Sequence, residues 1–132
     1  MSYSFTATGH ENITALHKTT LEFTKDSSVT LNGDCIVGVN ATFDIKELKK
    51  FLCQQKIKIT LRAGGITEEI IAQPNSMFAS EREMVVRIGG YMSERTFAVH
   101  ADTSASRLSR AFKTRLRDPA TIVIVSVCSY EN

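Results

Sequence analysis

Long apolar runs are missing from this 132-residue chain: the longest, Ile122 to Val125, is four residues, against roughly 20 for a helix that crosses a bilayer. No membrane partner is therefore expected. Cysteine is sparse too, and Cys35, Cys53 and Cys128 are odd in number and widely spaced. That excludes a disulfide framework and points to a reducing compartment, the cytoplasm. The opening MSYSFTATGH has no basic flank followed by an apolar stretch, so no secretory signal is expected. Only 2 prolines occur, Pro74 and Pro119, both where turns are already indicated, and no linker, repeat or low-complexity segment accompanies them. An excess of one charge sign is also lacking. With 16 basic and 14 acidic side chains the net charge is +2, too little to steer a polyanion over the whole surface, so any nucleic-acid contact has to be local. Finally, there is no strand followed by GxGxxG, no GxxxxGK[ST], no HExxH and no GxSxG, which removes the enzyme classes that rely on those phosphate cradles, zinc helices and nucleophile elbows.

What is present is an ordinary globular composition, 42% hydrophobic and 23% charged, in a length that suits a single domain over residues 1–132. Tyr3 to Thr8 alternates Tyr3, Phe5 and Ala7 with Ser4, Thr6 and Thr8, the period of a half-buried strand. Ala15 to Thr24 alternates likewise, with His17, Leu21 and Phe23 inward and Lys18, Thr20 and Glu22 outward. Asp34 to Val39 reads as a short buried strand. Lys56 to Arg62 and Ile66 to Gln73 flank Ala63-Gly64-Gly65, a turn able to take positive φ, and form a hairpin. Glu83 to Ile88 and Arg95 to Ala101 are joined across Gly89-Gly90. Ala120 to Cys128 is β-branched on both faces and predicts a central strand covered on both sides.

Two helices interrupt the strands. Asp44, with Glu47 three residues on, resembles a capping pair ahead of the stripe Ile45, Leu48, Phe51 and Leu52. Ala105, Leu108, Phe112 and Leu116 predict a second helix from about Ser104 to Arg117, ended by Asp118-Pro119. The expected fold is mainly β, a sandwich or barrel-like mixed sheet of about eight strands with two short helices.

Three polar constellations can carry chemistry. His10 and Asn12 close the first strand, with His17 and Lys18 on the next; two imidazoles, an amide and an ammonium suit a phosphate, a carboxylate or a metal. The structural alternatives are a turn residue at His10 and a hydrogen-bonded core histidine at His17. Asp34 stands at the mouth of a buried strand, as a general base, a ligand or a plain turn cap. Its neighbour Cys35 is expected to have a raised pKa and to be inert. The third runs from Arg95 through His100 and Asp102, two apart on one strand face, so that a carboxylate can orient an imidazole. A helix beginning near Thr103 would add free N–H groups there. Arg107, Arg110, Lys113 and Arg117 share one side of that helix, a face for nucleic acid or an acidic partner, or simply a solvated surface. No aromatic accompanies it, so no base-stacking platform is indicated.

The segments GHENITALHKTTLEFTKD, GDCIVGV and ERTFAVHADTSASRLSR resemble, in order and over nearly the whole chain, the uncharacterised family DUF371, known chiefly from archaea. The resemblance implies a small, β-rich, sandwich-like domain and assigns no reaction. The family's pattern falls on Gly9, His10, Asn12, Ile13, His17, Lys18, Thr19 and Thr20, on Gly33, Asp34, Cys35 and Gly38, and on Arg95, Thr96, Ala101, Asp102 and Arg110. The chain departs from it at Glu11, where proline is usual, at Gly89-Gly90 in place of Lys-Ser, and at Thr103 in place of lysine. The last two departures remove lysines near the expected anion site and weaken the anion reading.

The leading expectation is a binding domain that gathers His10, Asn12, His17, Lys18, Asp34, Arg95 and Asp102 into one polar pocket for a small anionic or phosphorylated ligand. The alternatives are a metal-assisted or acid/base hydrolytic enzyme using His10, His17 and Asp34, or His100 with Asp102, and an interaction domain for nucleic acid or protein at the basic helix face. No cofactor is assigned, and self-association stays open.

Overall fold

The structure is a computed structural model and describes residues 1–131. Its elements are β1 (Ser2–Thr8), β2 (Thr20–Thr24), β3 (Ile36–Gly38), α1 (Ile45–Lys49), β4 (Ile57–Ala63), β5 (Ile66–Pro74), β6 (Glu83–Arg87), β7 (Thr96–Val99), a 3-10 turn (Ala105–Arg107), α2 (Arg110–Leu116) and β8 (Ile122–Ser129). The fold is mainly β. One mixed sheet holds eight strands in the order β1-β8-β4-β5-β7-β6-β2-β3. Its two ends touch through a single antiparallel bridge between Thr8 and Val39, and the sheet is not closed into a barrel.

Local chemistry builds several of these elements as expected. Gly64 and Gly65 take φ of 56° and 83°, the left-handed pair that a two-residue hairpin turn demands, and set Ala63 opposite Ile66. Ile57, Ile59 and Leu61 on β4 and Ile70 and Ala72 on β5 then fall on the core side. Asp44 caps α1 by accepting the Lys46 N–H at 2.9 Å. Glu47 does not reach back to it but pairs with Lys50 at 2.7 Å, so only half of the capping pair forms. The free side of β1 is satisfied by the chain entering α1: Thr8 and Val39 exchange backbone bonds of 2.8 and 2.9 Å, and Thr42 bonds both backbone groups of Thr6. An edge that could template aggregation is thereby occupied over half its length. Behind it, Phe5 meets Phe23 and Phe43 edge to face, with centroids 5.9 and 5.6 Å apart.

Four expectations are corrected. The strand predicted over Ala15–Thr24 is only Thr20–Thr24, because Ala15 turns to φ 52° and the Leu16 and His17 N–H groups both bond the Asp34 carbonyl instead of a neighbouring strand. All five residues of β2 are buried, so the outward face assigned to Thr20 and Glu22 is covered. The helix over Ser104–Arg117 is broken: Leu108 is extended (φ −62°, ψ 148°), and the Ser109 side chain accepts the Phe112 N–H at 3.1 Å, starting α2 afresh. The anion-receiving helix start near Thr103 therefore does not exist. In β8, Ile122 and Ile124 are 61% and 42% exposed, so this interior strand is covered on one face only.

Tertiary pairing departs from simple hairpins as well. β2 with β3 and β6 with β7 are parallel, although the β6 to β7 connection is residues 88–95 alone, shorter than the dozen or more residues such crossovers usually take. Within that connection the Tyr91 ring lies 5.1 Å from the Arg87 guanidinium at the end of β6.

Candidate functional site

The GHEN segment is first of all a structural joint. Gly9 and His10 donate backbone bonds to Thr121 and Leu116 carbonyls, at 3.0 and 2.9 Å. A Cβ on Gly9 would fall on the Asp118 carbonyl oxygen and 2.6 Å from that of Leu116, so only glycine lets this turn close on the end of α2. His10 Nδ1 accepts the Asn12 N–H at 3.0 Å, and the Asn12 amide donates to the Val29 carbonyl at 3.0 Å. His17 behaves in the same way: its Nδ1 accepts from the Thr19 and Thr20 N–H groups at 3.2 and 3.1 Å. Both rings thus spend Nδ1 as an acceptor, which places the neutral ring's proton on Nε2. The structure joins His17 to Asp34 through the Asp34 carbonyl and leaves Lys18 exposed. Among the described residues, no group of three or more His, Cys, Asp or Glu side chains is placed to hold a metal.

Arg95 and Cys35 belong to a different cluster, centred on a residue that sequence reading assigned to solvent. Glu22 is 6% exposed. In register it faces Ile36 on β3 and Val85 on β6, and Val85 faces Thr96 on β7. Burial pushes the Glu22 carboxyl up from its ordinary value and Glu83 adds to this, while Arg95, the Cys35 thiol and Arg87 draw it partly back. Cys35 Sγ donates to Glu22 Oε1 at 3.6 Å. Burial, then the negative charges of Glu22 and Asp34, push its pKa up to about 12, in the direction expected from the sequence, with carboxylates joining desolvation as its cause. Arg95 Nη1 lies 2.8 Å from Glu83 Oε2, an ion pair whose alignment leaves that oxygen without a hydrogen bond. Arg87 Nε donates to Thr96 Oγ1 at 2.9 Å, and Ser93 Oγ lies 3.0 Å from the same oxygen. Glu22, Glu83 and Arg87 were missed. The available signal was a lone charge in the otherwise neutral strand TLEFT.

His100 and Asp102 share a cavity without bonding each other. Asp102 Oδ1 accepts the Ile71 N–H at 3.0 Å, and its own N–H returns to the Ile71 carbonyl at 3.1 Å. His100 lies beyond the end of β7 at φ 53°, so the strand alternation that paired it with Asp102 does not apply. The two line a space of about 360 Å³ with Lys56, Gln73 and Tyr130.

The basic residues divide. Arg107 sits on the 3-10 turn and reaches the Asp102 carbonyl at 3.4 Å. Arg110, Lys113 and Arg117 line one groove of about 470 Å³ together with Thr114, Leu108 and the exposed Leu16. Lys113 Nζ donates to the Ser106 carbonyl at 2.9 Å, which leaves two of its three protons free. Among the described residues, Arg110 and Arg117 form no ion pair, and no carboxylate lines the groove.

The class defined by these features is a small mainly β domain with polar surface grooves. The chain belongs to the DUF371 family, described as "Domain of unknown function (DUF371)", which it matches over residues 5–129. It is similar to "Uncharacterized protein MJ0206" of Methanocaldococcus jannaschii, with 29% identity over 130 residues that cover 93% of this chain and 96% of that relative.

Proposed function

We propose that this is a cytoplasmic binding domain for a small anionic ligand, held in the groove between α2 and the Leu16 turn. The observation that carries the reading is the charge of the lining: Arg110, Lys113 and Arg117 face one concavity with no carboxylate among its walls. Guanidinium forks match phosphate and carboxylate oxygens in pairs, and two of the three cations have no anionic partner within the described residues. A space of about 470 Å³ suits a small molecule, and Leu16 and Leu108 supply an apolar wall for its uncharged part. The three free cysteines fit a reducing compartment.

Thermal melting with added pyrophosphate tests this. Binding to the folded state alone raises the melting temperature in step with ligand concentration. Each arginine lost should cost about 1.5–3 kcal/mol of binding, so Arg110→Ala with Arg117→Ala should remove the shift. Arg95→Ala and Lys18→Ala serve as comparisons. If these two remove it and the groove pair does not, the ligand sits with the residues singled out in the sequence and the groove reading fails. Salt-sensitive binding of a single-stranded oligonucleotide, with no pyrophosphate shift, would make the groove a nucleic-acid surface and overturn the small-ligand reading.

A further inference from the structure

A second concavity of different chemistry lies across the end of the sheet where β4 begins and β8 ends. A space of about 840 Å³ is lined by residues 53–56, Gln73, Tyr130 and Glu131. The space of about 360 Å³ that holds His100 and Asp102 shares Lys56, Gln73 and Tyr130 with it, so the two spaces adjoin and together make up the cleft. Its walls are anchored through backbone. The Tyr130 N–H donates to the Lys56 carbonyl at 3.1 Å, Gln73 pairs with Val99 across β5 and β7, and Asp102 is bonded twice to Ile71. The backbone of these walls is fixed in this way, so a ligand has only side-chain rotations to restrain.

His100 is the strained member. Its φ of 53° is unfavourable for a residue with a side chain. It is held by an N–H bond of 3.1 Å to the Gly89 carbonyl and by a ring packed so closely on Gly90 that a Cβ there would stand 2.9 Å from Cε1. Retained strain of this kind collects at binding and catalytic positions, and here its effect is to keep an imidazole at the cleft.

We infer that this cleft binds a neutral, polyhydroxylated ring compound, of the chemistry shared by saccharides and the ribose of nucleosides. Lys56 stands against Asp102 and Glu131 among the lining residues, so the cleft is not cationic and does not favour an anion. The amide of Gln73, the Asp102 carboxylate, the Lys56 ammonium and the Tyr130 hydroxyl mix donors with acceptors, which is what hydroxyls that both give and take hydrogen bonds require. The Tyr130 ring adds an aromatic surface for the C–H face of such a ring. The site is separate from the α2 groove and does not rest on that proposal.

Saturation-transfer NMR on the full chain tests it, with ribose, glucose and adenosine as probes at millimolar concentration. At least one probe should give transfer to its ring protons. Gln73→Ala, an exposed change that leaves the fold intact, should weaken it about tenfold, as should Tyr130→Ala, while Arg110→Ala with Arg117→Ala leaves it unchanged. Transfer to adenosine alone identifies a nucleoside, and transfer to glucose a saccharide. No transfer from any probe, transfer indifferent to both cleft variants, or transfer lost in the α2 pair overturns the inference.

Discussion

The Cys35 thiol lies 3.6 Å from Oε1 of Glu22 and donates to it, so two ionisable groups on neighbouring parallel segments hold each other toward restraint. The carboxylate raises the thiol's pKa and the thiol slightly lowers that of the carboxyl, but burial dominates both.

Glu22 therefore makes stability depend on pH. Its folded pKa is raised above the ordinary 4.5, so the folded state holds the proton more strongly than the unfolded chain. Its contribution is fully present below the ordinary glutamate range and is lost as pH rises through the raised value. Glu22→Gln keeps an acceptor for the thiol and removes the titration. Urea midpoints of the variant should fall less over that interval than those of the parent, with no change in slope on denaturant. An identical pH profile in the two proteins would show that Glu22 is ionised without penalty.

Cys35 and Cys53 should differ sharply toward alkylating reagents. With a pKa pushed up to about 12, Cys35 carries almost no thiolate at pH 8, whereas Cys53 is exposed. Peptide mass mapping after brief iodoacetamide treatment should find the label on Cys53 and not on Cys35. Comparable labelling of Cys35 in the folded protein would contradict its placement against Glu22.

Gly9→Ala should be among the most damaging single changes in the chain. The added carbon meets backbone oxygens of Leu116 and Asp118, which cannot swing aside as a side chain can. The expected loss is about 1–3 kcal/mol or more, read from the urea midpoint. A wild-type midpoint would mean that the turn does not dock on α2.

Gly65→Ala isolates backbone strain. Nothing lies within 4 Å of the added carbon and φ is 83°, so the penalty is conformational alone, about 1–2 kcal/mol. At Gly64 the atoms nearest the added carbon belong to the Arg115 side chain, with Nε at 2.8 Å, and a long side chain can swing aside where backbone cannot, so the two variants should be alike in stability. A much larger loss at Gly64 would show Arg115 to be fixed.

The features legible in the chain were those set by a few adjacent residues. The alternation of Tyr3, Phe5 and Ala7, the Gly64-Gly65 turn and the Asp44 cap express backbone preferences that act within one turn or one strand, and each reappears in the fold. Chain order alone also supported the β class, about eight strands and the family resemblance. Other features depended on what the rest of the molecule brought against a segment. Glu22 has the alternation of a solvent-facing residue and is buried on a strand held between β3 and β6, with Cys35 against its carboxylate. The helix expected over Ser104–Arg117 divided because Ser109 could cap a second start. Lys56 and Tyr130 are far apart in sequence and meet only because β4 and β8 pair, with Ile57 opposite Ser129. Local propensity is a short-range energy; burial and cleft formation are set by partners that only strand pairing supplies.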